Sequence, residues 1–127
     1  MNRIAPRLNI PKKPVRQYLD KAMKYHQNGA ITAADKYYKR VLRIDPNHID
    51  ALHLSGIISH QLGHTPRAIK LIQQAIANDS NQIVFHNNLA IIYNKIGHWT
   101  EASVASRKAL KISPNDVGSS EVQIGLL

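Results

Sequence analysis

Apolar and small residues recur along this chain at three- and four-residue intervals, the spacing of one face of an α-helix. Between residues 51 and 62 the set is Ala51, Leu52, Ser55, Gly56, Ile58, Ser59 and Leu62, and Gly63-His64 stops it. Thr65-Pro66 then predicts a second helix, with threonine as N-cap and proline at the first helical position. The same pattern returns every 34 residues. Gly29, Gly63 and Gly97 fall in one series, and Ala34, Ala68 and Ala102 in another. Val41, Ala75 and Ala109 form a third, and Ala22, Gly56 and Ala90 a fourth. Asp45-Pro46-Asn47, Asp79-Ser80-Asn81 and Ser113-Pro114-Asn115 supply three turns in register with them. A fixed period of this length is the mark of a stacked repeat architecture. The units run 15–48, 49–82 and 83–116, with residues 1–14 before them and 117–127 after.

Each unit reads as a pair of antiparallel helices, so the predicted fold is all-α. Thr32 with Asp35 predicts a capping-box-like start for the second helix of unit one, and Thr100 predicts a cap in unit three. Two helices approach closely only where side chains are small. Ala22, Gly56 and Ala90 on the first helices therefore face Ala34, Ala68 and Ala102 on the second, with Tyr25, Tyr38 and Tyr93 as large neighbours. A single pair cannot bury its own apolar face, so stability has to come from stacking.

These series resemble the tetratricopeptide repeat (TPR) family. Unit three carries the resemblance through Asn88-Leu89-Ala90, Tyr93, Gly97, Glu101-Ala102, Lys108-Ala109-Leu110 and Pro114. Unit one carries it through Tyr18, Ala22, Tyr25, Gly29, Ala34, Tyr38 and Pro46. Unit two departs most, with Ser59 and Ile72 for aromatics and Ser80 for proline. The resemblance implies an α-solenoid of three helix pairs in a right-handed superhelix, with a concave groove lined by the first helices. It also implies a protein-binding adaptor without catalysis.

On the family's pattern the groove positions are Arg16, Leu19, Met23, His26 and Gln27 in unit one; Asp50, His53, Ile57, His60 and Gln61 in unit two; and Val84, Asn87, Ile91, Asn94 and Lys95 in unit three. Two ladders cross the units, His26–His60–Asn94 and Gln27–Gln61–Lys95, with the apolar stripe Met23–Ile57–Ile91 between them. Such a surface suits an extended peptide, whose backbone needs polar partners while its side chains need pockets. The family's carboxylate clamp for chaperone tails is absent: Leu19, Met23 and Leu54 stand at its positions and only Asn88 is in keeping. The run His86-Asn87-Asn88-Leu89-Ala90 is also similar to the asparagine-lined groove of O-linked N-acetylglucosamine transferases and related bacterial proteins. That leaves a second reading, an N-terminal module or fragment of a larger glycosyltransferase- or sulfotransferase-like protein.

Composition and charge add limits. Cysteine is absent, which excludes disulfides, thiolate catalysis and Cys-type zinc sites. The seven histidines invite a metal reading, since His60 and His64 are four apart, but His64 falls in the turn after Gly63 and no carboxylate completes a set. No metal or other cofactor is expected. Ser55 and Ser59 lie beside His53 and His60 without a nucleophile elbow or an oxyanion loop, and neither a phosphate-binding loop nor a dinucleotide fingerprint occurs. No apolar run reaches the roughly 20 residues a membrane helix needs, so a soluble, cytoplasmic protein is expected. Pro6, Pro11 and Pro14 would break the amphipathic helix of a presequence.

The 17 Lys and Arg outnumber the 8 Asp and Glu, and the whole +9 resides in residues 1–43. Lys36, Lys39, Arg40 and Arg43 make a stripe on the convex side, and Arg107, Lys108 and Lys111 reuse three of its offsets in unit three. The remainder sits in a proline-containing arm, expected to be flexible, with Arg3, Arg7, Lys12 and Lys13. That arm gives a third reading, a binder of nucleic acid or anionic surfaces, disfavoured for nucleic acid because no aromatic is interleaved. The tail reads as a short cap on Val122, Ile124 and Leu126, or as a truncated fourth repeat able to self-associate.

Overall fold

The computed structural model describes residues 9–114. Six helices make up this span: α1 Lys12–Gln27, α2 Ile31–Ile44, α3 Ile49–Gln61, α4 Thr65–Asn78, α5 Ile83–Lys95 and α6 Trp99–Ile112. They pack as three antiparallel pairs, α1 with α2, α3 with α4 and α5 with α6. Neighbouring pairs join through α2 on α3 and α4 on α5, and α3 also touches α5. The architecture is an all-α solenoid of helix pairs.

The turn inside each pair is set by its glycine. Gly29, Gly63 and Gly97 have φ of 78°, 87° and 80°, a left-handed conformation that a Cβ disfavours. The reversal lets the next amide turn back onto the finished helix. Ala30 N–H donates to Tyr25 O at 2.9 Å, His64 to Ser59 at 2.7 Å and His98 to Tyr93 at 2.9 Å. Each bond brings a donor to a carbonyl in the last turn of the helix.

The predicted N-caps stand elsewhere. The helices after these turns start one residue earlier than Thr65 suggested and two earlier than Thr32 and Thr100 suggested, with Ala30, His64 and His98 as N-caps, none making a side-chain cap bond. Thr32, Thr65 and Thr100 are already helical. The tight glycine turn explains this, since the residue after it is drawn straight into the new helix. Asp35 closes no capping box and instead pairs with Lys39 at 3.0 Å. The arm also ends sooner than residue 14. Lys12, Lys13 and Pro14 lie in α1, and a proline in the first turn removes an N–H that has no intrahelical partner. Residues 1–8 of the arm and the tail 117–127 lie outside the described residues.

Small residues set the spacing within each pair. Ala22, Ala34, Ala68, Ala90 and Ala102 are fully buried. A Cβ on Gly56 would stand 2.7 Å from Ile72 Cγ1 and 3.2 Å from the Ala68 carbonyl oxygen, so only hydrogen fits. Tyr38 fills unit one and is fully buried. Tyr25, expected beside it, is exposed and stacks on Tyr37 with ring centroids 5.7 Å apart. The main core joins units two and three through Leu52, Leu71, Ile72, Phe85, Leu89 and Ile92. Among the described residues, no helix is long and apolar enough to cross a membrane.

Candidate binding groove

Every predicted groove residue lies on α1, α3 or α5, the first helices of the three pairs. A helix places residues three and four apart on one face. The sets 19-23-26 of α1, 53-57-60 of α3 and 87-91-94 of α5 therefore fall on one face of each helix, and stacking aligns the three faces.

The central stripe is partly open. Met23 and Ile91 are 37% and 39% exposed. Ile57 between them is half-buried and packs against the main core. Val84 is exposed at 44%, and Leu19 is half-buried. Apolar side chains at three equivalent positions, two of them exposed, are the ingredient a groove needs to bury a ligand's side chains.

The first polar ladder is held in place from behind. His26 Nδ1 hydrogen-bonds the Tyr38 hydroxyl at 3.1 Å, with the rings edge-on at 6.0 Å. His60 Nδ1 hydrogen-bonds Thr65 Oγ1 at 3.0 Å. Thr65 thus serves as an anchor for a groove residue rather than as a cap. Each imidazole keeps Nε2 as its second hydrogen-bonding atom. Burial lowers the His26 pKa below its usual value, keeping the ring neutral and able to accept or donate. The third rung differs, because Asn94 Oδ1 is buried without a partner. Gln27, Gln61 and Lys95 of the second ladder are exposed.

His53 and Asn88 make a cross-unit contact. Asn88 Nδ2 donates to His53 Nε2 at 2.7 Å, and the His53 ring lies 4.6 Å from the Phe85 ring. Desolvation lowers the His53 pKa, with Asp50 pulling weakly the other way. A neutral His53 suits this bond, since Nε2 must keep its lone pair to accept. Asn88 stands in the sequence as part of the repeat resemblance, of the asparagine run and of the clamp remnant, and the structure commits its amide to His53. No signal in one sequence pairs positions 35 apart on successive helices.

Beside α1 the groove opens into a cleft of about 680 Å³. The predicted residues Arg16, Leu19 and Asp50 line it, together with Asp20, Asp45 and His48, which the groove reading left out. Asp45 is buried at the α2–α3 turn, and His48 caps α3 by accepting from Ala51 N–H at 3.1 Å. Asn87 is half-buried on α5. Among the described residues no three His, Asp or Glu side chains converge as metal ligands would.

Comparison with known proteins places these features. A family model for the tetratricopeptide repeat matches residues 16–48 and 84–116. The chain is 32% identical over 76 residues to Superkiller protein 3 of Schizosaccharomyces pombe, covering 60% of this chain and 6% of that protein. It is 26% identical over 84 residues to human tetratricopeptide repeat protein 7B, covering 66% of this chain and 10% of that one. The chain thus spans a tenth or less of the curated relatives it matches. Among solved structures, the first TPR of Spaghetti (RPAP3) bound to an HSP90 peptide superposes with a TM-score of 0.87 at 14% identity, covering 94% of each chain. An O-GlcNAc transferase of Thermobaculum terrenum superposes with a TM-score of 0.80 at 25% identity, covering 89% of this chain and 22% of that one.

Proposed function

The chain belongs to the tetratricopeptide repeat family, and from that premise we propose that it is a non-enzymatic interaction adaptor holding an extended polypeptide segment in its groove. The stripe Met23–Ile57–Ile91 takes apolar side chains of the segment. His26, His60 and Asn94 on one flank, and Gln27, Gln61 and Lys95 on the other, meet its backbone amides. His53 and Asn87 lie one turn before Ile57 and Ile91 on the same helix faces. The observation that carries this reading is the stripe itself, with Met23 and Ile91 exposed at its two ends and Ile57 half-buried between them. A monomer gains nothing by exposing them, while a bound segment covers them. Peptide occupancy of the neighbouring Spaghetti domain supports the same use of the architecture. The ligand differs in its end group, because Leu19, Met23 and Leu54 replace the clamp positions and Asn88 is taken by His53.

Capture from native lysate with the intact chain tests this reading. Ile91→Asp and His60→Ala alter side chains that are at least partly open, and both variants are expected to fold and to lose the partner bound by the wild type. Retention of every partner by both variants would show the groove reading to be wrong. A second reading, a module of a larger transferase, is supported by the likeness to one fifth of the Thermobaculum enzyme. Sequencing the gene beyond the codon for Leu127 decides it by the presence or absence of a transferase domain in frame.

A further inference from the structure

The outer face of unit one carries a surface that the groove does not use. Gln17, Lys21 and Lys24 of α1 stand one and two periods before Ala51 and Phe85, Ser55 and Leu89, and Ile58 and Ile92. The six later residues are all buried, and the three on α1 are exposed. Tyr37 on α2 likewise precedes Leu71 and Ala105, both buried. Units two and three each have a helix pair before them, and unit one has none among the described residues. The face that stacking covers in the later units is therefore open here, and it bears polar heads where they bear mostly apolar groups. An apolar surface laid on it would desolvate two ammonium groups without compensation.

On this face three tyrosines form a bed for cations. Tyr25 stacks on Tyr37 at 5.7 Å, and Tyr18 lies 6.1 Å from Tyr37. From the convex stripe beside this face the Arg40 guanidinium reaches in to sit 5.0 Å from the Tyr37 ring centre and 5.5 Å from that of Tyr18. The Lys21 ammonium sits 5.5 Å from Tyr37. Ring contacts hold a cation in position while its N–H groups remain free to bind an anion. Asp35 is engaged by Lys39, and Asp20 lines the groove cleft beside Arg16. Residues 12–44 hold nine Lys and Arg against these two acids.

We propose that this end face docks an acidic polypeptide segment, with Arg40, Lys21 and Lys24 receiving its carboxylates. Charge complementarity selects the occupant. The chain's own arm is excluded, because Arg3 and Arg7 share the sign of the face. Single-stranded nucleic acid is the poorer match, because it needs a succession of free ring faces on which to stack bases. Tyr37 is already occupied by Tyr25, Arg40 and Lys21, and Tyr18 by Arg40. A carboxylate needs only the cation. The site lies apart from the groove, so it stands or falls independently of the adaptor reading.

The test is titration of the full chain with a fluorescent twelve-residue peptide of alternating Glu and Ser at low salt, beside an oligouridylate of equal length. Binding of the peptide is expected, weakened about ten-fold by joint Lys21→Gln and Arg40→Gln and little changed by joint Lys108→Gln and Lys111→Gln. The second pair removes the same charge from the other end of the array. If the first double variant melts early, Lys24→Gln replaces it, since this exposed lysine should by itself weaken binding several-fold. Equal losses from both double variants, no peptide binding, or tighter binding of oligouridylate that displaces the peptide would each overturn the proposal.

Discussion

At the scale of single residues, packing and protonation yield two predictions. Gly56 and Ile72 are matched, the glycine being the hole for the isoleucine Cγ1. Gly56→Ala gains helix propensity, about 1 kcal/mol. It also drives a methyl to within 2.7 Å of Cγ1 and 3.2 Å of the Ala68 carbonyl. Overpacking of this kind costs about 1–3 kcal/mol and is expected to win. Chemical denaturation is expected to show a net loss, and an unchanged or raised midpoint would refute the match. His53 gives the second. Burial holds its pKa below the usual 6.5, so the unfolded chain takes up a proton before the folded one does. Its contribution to stability is complete above pH 6.5 and declines as pH falls toward the folded-state value. His26 acts in the same direction. Melting temperature is expected to drop between pH 7 and pH 5, and to drop less in His53→Gln, whose amide does not titrate. Equal drops in both proteins would remove His53 from the account.

At the scale of helices, what could be read from the sequence depended on how local the cause was. The pairing of helices was legible because close approach requires small residues, and Ala22, Gly56 and Ala90 recur where those residues are needed. The turns were legible because Gly29, Gly63 and Gly97 supply the positive φ. Helix starts were misplaced by one or two residues. Threonine is an intrinsically good cap, but the glycine turn fixes the helix entry before Thr65 can act, and its hydroxyl goes to His60 instead. Tyr25 was misread for a reason of the same kind. A period assigns it the role of its equivalents, Ser59 and Tyr93, yet only units with a preceding neighbour cover that position. The groove positions came from the family's pattern of inward faces carried onto the 34-residue period of this chain. Their anchoring by Tyr38, Thr65 and Asn88 depends on partners in other helices, which spacing in one chain does not specify.

At the scale of the whole array, two influences on unit two oppose each other. Locally it is the weakest unit. Ser55 and Ser59 replace bulk, and the hydroxyl oxygens of both are buried without partners, a cost of about 1–3 kcal/mol each. Globally it is the best supported, with helix pairs on both sides. Leu52, Ile58, Leu71 and Ile72 are almost fully buried there, and each such side chain contributes about 1.5–3 kcal/mol relative to exposure. Four of these outweigh two orphan hydroxyls, so neighbour coupling should set the order of stability, as it does in linear repeat arrays. Amide hydrogen exchange under native conditions is expected to be slowest in α3, α4 and α5, and faster in α1 and α6, each of which has a helix pair on one side only among the described residues. Fastest exchange in α3 and α4 would mean that the serine substitutions dominate and that the array is hinged at its centre. In that case a ligand lying along Met23, Ile57 and Ile91 would have to order unit two on binding. Its affinity would then rise when Ser55→Ala or Ser59→Ala removes an orphan hydroxyl. With the expected exchange order, the groove is already in register and those two substitutions raise stability while leaving ligand affinity unchanged.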